Sequence, residues 1–235
     1  AILSLSEFCV RRDPQAIFLL TGYAGTGKST LIAGLVQTLG QFKRSSVLMA
    51  PTGRAAKVIS QYSHREAFTI HRKIYVPRSQ KGGGVKFALQ PNKHRNTLFI
   101  VDEASMVPDT NTDANVFEGS SLLDDLMTYV YSGPGCQLMF VGDLAQLPPV
   151  HLNLSPALDS DVLRIQFHKS VTEVALREVV RQKEQGDIVS NATSIRELIE
   201  QDRPEQLFFD LGKAGRTVNL SGEAPFNVLF GDAAN

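Results

Sequence analysis

Four short runs along the chain are apolar almost throughout: Ala16–Leu20, Ser46–Ala50, Leu98–Val101 and Gln137–Val141. A strand with one solvated face alternates apolar and polar residues, whereas a strand covered on both faces has no solvent side and reads as a continuous apolar run. Segments with helical spacing follow, at about Ser29–Leu39, Thr52–Gln61, Ser121–Tyr131 and Asp187–Gln201. Strand, helix, strand in repetition predicts an α/β fold, a parallel sheet covered by helices on both faces. Lys73–Asn96 interrupts that rhythm with Pro77, Gly82-Gly83-Gly84 and Pro91, and is expected to be an exposed loop or hairpin inserted before the third run. Asp109–Ser120 reads as a polar, mobile connection. Residues 1–203 form the expected main domain, and 204–235, where the pattern weakens, a C-terminal extension or the start of a truncated second domain.

The 235 residues are 43% hydrophobic and 20% charged, enough apolar material for a core, which excludes disorder as the main state. No window approaches the ~18 uninterrupted apolar residues of a membrane span. The first ten residues have no basic region ahead of an apolar run, so a cytoplasmic location and no membrane partner are expected. Cys9 and Cys136 lie far apart with no metal-ligand spacing around them, which suggests two buried thiols.

Net charge is zero, yet its distribution is lopsided. Gln41–Thr97 holds twelve basic residues and a single acid, Glu66, while Leu98 to the end holds 21 acids against 9 bases. A stretch at +11 suits a phosphate backbone, although a solvated surface loop would carry the same composition.

Three local patterns carry chemistry. Gly22-Tyr23-Ala24-Gly25-Thr26-Gly27-Lys28-Ser29 fits the phosphate-binding loop and stands directly after an apolar run and before a helix. Glycines let backbone amides curl around phosphates, the helix N-terminus adds its positive end, Lys28 reaches the β and γ oxygens, and the Ser29 hydroxyl can ligate Mg²⁺. Gly22, Gly25, Thr26, Gly27, Lys28, Ser29 and Thr30 are therefore the candidate nucleotide contacts. Asp102-Glu103 ends the third apolar run, where ligands bind in open α/β sheets. Asp102 is suited to share Mg²⁺ with Ser29, and Glu103 to accept a proton from, or orient, the water that attacks the γ-phosphate. Gly142 to Val150 follows the fourth run; its Gln146 could hydrogen-bond the γ-phosphate or the water, or belong to an ordinary surface turn.

In order and approximate spacing, six segments resemble the motifs of superfamily 1 DNA helicases, most of all the RecD-like branch related to the exonuclease V alpha subunit. They are GYAGTGKST (22–30), APTGRAAK (50–57), Thr69-Ile70-His71, VDEASM (101–106), VGDLAQLPPV (141–150) and VVRQ (179–182). The resemblance spans roughly Ala16 to Gln182. It implies a RecA-like P-loop NTPase domain that hydrolyses ATP with Mg²⁺ and moves along single-stranded DNA, in this branch 5′ to 3′. Residue by residue it implies Lys28 and Ser29 on the nucleotide, Asp102 and Glu103 as the metal and water-activating pair, Gln146 as γ-phosphate sensor and Arg181 reaching the γ-phosphate. Without the resemblance Arg181 reads as a salt-bridged arginine. Pro51, Thr52 and Gly53, with Arg54 beside them, match a DNA-backbone segment, and Thr69 and His71 a neighbouring one. Hydroxyls and amides there carry no base information. Thr52 reads equally as a helix N-cap, and His71 as a packed core histidine.

The family places two RecA-like domains around ATP and DNA, and this chain holds about one, so a second RecA-like domain of the same polypeptide is expected as partner, with recombination or repair proteins beyond it. The family's adenine-reading glutamine is absent from Ala1–Val10. Three rival classes are a GTPase, whose Asn-Lys-x-Asp signature is lacking at Asn92-Lys93-His94-Arg95, a small-molecule kinase, for which no basic lid is evident, and a nucleic-acid-binding module with a vestigial or incomplete ATPase.

Overall fold

The computed structural model describes residues 1–79, 84–110, 116–117, 119, 121–146, 149 and 155–178. In chain order the elements are α1 (Ile2–Arg11), β1 (Ala16–Gly22), α2 (Lys28–Gln41), β2 (Ser46–Ala50), α3 (Gly53–Ser63), β3 (Ala67–Thr69), α4 (Ile70–Ile74), β4 (Tyr75–Ser79), β5 (Val85–Leu89), β6 (Leu98–Val101), α5 (Leu122–Ser132), β7 (Gln137–Gly142), α6 (Ser160–Ile165) and β8 (Ser170–Leu176). Six strands form one sheet in the order β3-β2-β6-β7-β1-β8, and every adjacent pair is parallel. The expected class, a parallel sheet with helices on both faces, is what the chain adopts. The helix expected at Asp187–Gln201, Arg181 and the segment 204–235 lie outside the described residues.

Side chains alternate across a strand, and here both sets are buried. Ile17, Leu19, Val47, Met49, Phe99, Val101, Leu138 and Phe140 pack with Ile70 and Ile74 of α4, with α5 and with Leu163 of α6. Their sequence neighbours Phe18, Leu20, Leu48, Leu98, Ile100, Met139 and Val141 pack on the other face with Leu5 and Phe8 of α1, Ile32, Val36 and Leu39 of α2 and Ile59 of α3. Each fully buried Leu, Ile or Phe contributes roughly 1.5–3 kcal/mol. Two-sided burial is the physical reason that the central runs do not alternate.

Two strands and three helices, the short α4 and α6 among them, lie outside the expected outline. β8 pairs with β1 from Ala16↔Ser170 to Gly22↔Leu176, but it is an edge strand whose polar positions face solvent. α1, with no side-chain cap at its start, lays Leu5 and Phe8 on the sheet. β3, only three residues long, edges the sheet beside β2.

The 73–96 insertion is a hairpin: β4 and β5 pair antiparallel, with Tyr75 opposite Leu89 and Arg78 opposite Lys86. Residues 116–117 dock on it. The Phe87 amide donates to the Val116 carbonyl at 2.8 Å, and Phe117 packs among Phe87, Tyr75 and His71, with ring centroids 5.6, 4.8 and 5.3 Å away. This end of the 109–120 connection is therefore anchored by an aromatic side chain rather than carried as a polar tether; residues 111–115, 118 and 120 are outside the described set. Tyr75 also donates from its hydroxyl to the buried Asp125 carboxylate at 2.6 Å, tying the hairpin base to α5.

Arg44 belongs to the basic stretch by sequence but not by position. It is 6% exposed, donating from Nη1 to the Cys9 carbonyl at 2.5 Å and from Nη2 to the Gln137 side-chain oxygen. Cys136 is buried as expected, while Cys9 is only half-buried; burial pushes its thiol up, against the opposing pull of Arg44. No helix among the described residues is long and apolar enough to cross a membrane.

Candidate active site

Parallel pairing brings the carboxyl ends of β1, β2, β6 and β7 to one edge. Thr21 is level with Gly142, Val101 with Phe140 and Met49 with Val101. The loop after β1 curls through two residues in the left-handed region, Gly25 at φ 83° and Gly27 at φ 89°. A side chain built on Gly27 would meet nothing within 4 Å, so glycine is required there by the backbone angle and not by crowding. Gly22 is the opposite case. A Cβ there would lie 2.8 Å from the Leu176 carbonyl oxygen on β8.

Gly27 caps α2, whose first turn contains no acidic residue, so its positive end faces the loop undiminished. The Thr26 hydroxyl donates to the Tyr23 carbonyl at 2.8 Å. Lys28 folds back over the loop, its Nζ donating to the Tyr23 carbonyl at 2.9 Å and to the Gly22 carbonyl.

Asp102 follows β6 and is 8% exposed. Its Oδ1 accepts the Glu103 amide at 3.0 Å and its Oδ2 the Tyr62 hydroxyl at 2.8 Å. Burial and Asp102 push that phenol's pKa up, and Ser29 beside it counters the rise. Burial raises the Asp102 carboxyl, opposed by Tyr62, by the Glu103 amide and by the charge of Lys28. Glu103 sits in the left-handed region at φ 54°, uncommon for a residue with a side chain and a mark of local strain at functional sites. It too is raised, first by burial and then by neighbouring Asp102, while a hydrogen bond from Gln146 and the charge of Lys28 pull it back. The amide of Gln146 is itself held: its Oε1 accepts the hydroxyl of fully buried Ser105 at 3.0 Å.

A cleft of about 1350 Å³ unites these groups. Gly25 to Thr30, Tyr62, Asp102, Glu103 and Gln146 all line it. The sequence-derived candidates Lys28, Ser29, Asp102, Glu103 and Gln146 thus share one site, and Gly22 contributes through its carbonyl. Ser29 and Asp102, a hydroxyl and a carboxylate lining the same cleft beside Tyr62, are hard oxygen donors of the kind Mg²⁺ takes. Tyr62 and Ser105 escaped the sequence reading. Tyr62 meets Asp102 from forty residues away, and Ser105, although inside VDEASM, carries no local mark of its partner Gln146.

The candidate DNA contacts fall around α3 and α4. Thr52 caps α3, accepting the Ala55 amide at 3.2 Å, and Thr69 caps α4, accepting the Arg72 amide at 3.2 Å. Pro51 and Gly53 flank the first cap, and Arg54 is exposed. Gly53, Lys57, Phe68, Thr69 and Arg72 line a shallow groove of about 330 Å³ on the far side of α3 from the cleft. Arg72 and Lys73 both lie over the Phe68 ring, at 5.7 and 4.8 Å from its centroid. His71 is half-buried and packs its ring near Tyr75 and Phe117, so its packed role is real.

Residues 9–207 match the family model described as AAA domain. The chain belongs to the AAA domain family. This AAA-domain chain is 32% identical over 180 residues to the ATP-dependent RecD2 DNA helicase of Deinococcus radiodurans, covering 75% of this chain and 21% of that protein. It is 29% identical over 180 residues to the ATP-dependent DNA helicase dda of Enterobacteria phage T4, covering 75% of this chain and 37% of that one. In fold it is similar to a crystal structure of a Pif1 helicase double mutant from Bacteroides, with a TM-score of 0.54 at 22% identity, over 85% of this chain and 45% of that one. The RecD-like superfamily 1 resemblance drawn from the six motifs agrees with these relatives. The AAA-domain chain spans between 21% and 37% of the length of the two curated relatives named.

Proposed function

We propose that this domain binds ATP with Mg²⁺ and hydrolyses it as the motor domain of a DNA helicase, with single-stranded DNA as its track and 5′ to 3′ movement in the whole enzyme. The observation that carries the reading is the convergence of Lys28, Ser29, Asp102, Glu103 and Gln146 on one cleft at the carboxyl edge of the sheet. The roles divide by chemistry. Amides of Gly25 to Thr30 and the α2 N-terminus cradle phosphate oxygens, and Lys28 exchanges its carbonyl partners for the β and γ oxygens. Ser29 and Asp102 hold the magnesium ion, which when bound neutralises phosphate charge. Glu103, poised upward by burial, orients the attacking water and takes its proton. Gln146, locked by Ser105, reports whether the γ-phosphate is present, and Arg181 completes the charge on that phosphate.

DNA is proposed to lie against Pro51, Thr52, Gly53, Arg54, Thr69 and His71, where two capped helix starts and exposed bases favour phosphate. A second RecA-like domain of the same polypeptide would close the other side of both sites, with residues 1–203 as the first domain and 204–235 leading toward it. A cytoplasmic setting and recombination or repair partners go with this reading. Titrating the chain with ATP and Mg²⁺ by calorimetry tests the nucleotide half. The wild type should bind and Lys28→Ala should bind far more weakly; equal binding by both would remove the assignment.

A further inference from the structure

Tyr62 lies near the end of α3, eight residues beyond Arg54, and reaches the centre of the cleft. Its hydroxyl donates to Asp102 Oδ2 at 2.8 Å, and Ser29 lies close enough to the same phenol to counter the rise that burial and Asp102 give it. The phenol oxygen therefore binds one of the two side chains to which the proposed function assigns the metal and lies beside the other. Asp102 accepts from two donors, the Glu103 amide on Oδ1 and this phenol on Oδ2. The amide belongs to the next residue and fixes only the near end of the carboxylate. The phenol, anchored on a separate helix, sets the plane of the group. Hydrogen bonds to a charged acceptor are strong and directional, and an ionised carboxylate has about four acceptor sites, so two donors leave room for a cation.

We infer that Tyr62 is a positioning residue of the magnesium site, its hydroxyl holding the Asp102 carboxylate toward Ser29. The inference rests on the nucleotide-site reading above. It also puts both ends of α3 at the cleft: the capped start at Thr52 lines it, and Tyr62 near the other end steadies a metal ligand.

The test is equilibrium binding of a fluorescent ADP analogue to the full chain, titrated with Mg²⁺, for the wild type and Tyr62→Phe. Phenylalanine keeps the ring and its packing while removing the hydroxyl. Losing an outer partner of a metal ligand is expected to raise the Mg²⁺ midpoint roughly tenfold. Affinity for the analogue in EDTA should stay at the wild-type value, which a variant that merely misfolds would not keep. An unchanged or lower midpoint, or an EDTA affinity that falls in parallel, overturns the role of Tyr62. A wild type whose binding ignores Mg²⁺ overturns the metal-site reading itself, a distinguishable failure because it appears before any substitution is made.

Discussion

The cleft at the carboxyl edge of the sheet and the basic stretch from 41 to 97 are both rich in polar groups, but they treat them in opposite ways. In the cleft the functional side chains are held by neighbouring protein groups: Ser105 holds Gln146, Tyr62 holds Asp102, and the Gly22 and Tyr23 carbonyls hold Lys28. In the basic stretch Lys43, Arg54, Lys57, Arg65, Arg72, Arg78, Lys93 and Arg95 are exposed, and the two ion pairs found among the described residues, Arg11 with Glu7 and Arg164 with Asp161, use none of them. The hairpin even sets Arg78 directly opposite Lys86. Like charges across a pair of strands are destabilising, so stability does not explain them. On the proposed function the contrast has a reason: groups that perform a reaction gain from being pre-organised by neighbours, and groups meant for a mobile polyanion gain from staying in solvent until it arrives.

Breaking the organised region should have the largest effects. Glu103→Gln should leave ATP binding intact and lower turnover by between about 10²- and 10⁴-fold, the usual contribution of a general base, as read from steady-state phosphate release. Lys28→Ala removes charge-assisted contacts to two phosphates and should weaken ATP by about a hundredfold, measured by calorimetry. Within the basic stretch, Arg44 separates sequence from position. Arg44→Ala leaves the Cys9 carbonyl and the Gln137 amide oxygen unpaired and should cost about 2 kcal/mol or more in urea unfolding, with no change in the salt dependence of DNA binding. Arg78→Thr with Lys86→Thr should do the reverse. The log-log salt slope of DNA affinity should fall by about 2, and thermal stability should rise slightly as the facing charges are relieved. If the Arg44 variant lowered the salt slope and the hairpin variant did not, the division between the two regions would be wrong.

Much of the fold was legible because burial wrote itself into the sequence. β1, β2, β6 and β7 are covered on both faces and read as unbroken apolar runs, whereas β8, at the edge with no residue fully buried, mixes polar and apolar positions and left no such mark. α1 begins without a capping side chain, and β3 is too short to carry a pattern. In the site, the loop from Gly22 to Ser29 and the Asp102-Glu103 pair were legible because their chemistry is local in sequence. Tyr62 and Ser105 were not, because a hydroxyl that serves by touching a residue some forty positions away looks like any other hydroxyl. Net charge misled in one particular: Arg44 counts toward the basic stretch and sits inside the protein.

ATP hydrolysis by this chain, with and without single-stranded DNA, and with Glu103→Gln alongside, tests the central claim most directly. Coupled cleft and basic face predict wild-type turnover that rises on adding DNA and is lost in the variant although ATP still binds. Turnover that ignores DNA, or that survives in Glu103→Gln, would contradict the account.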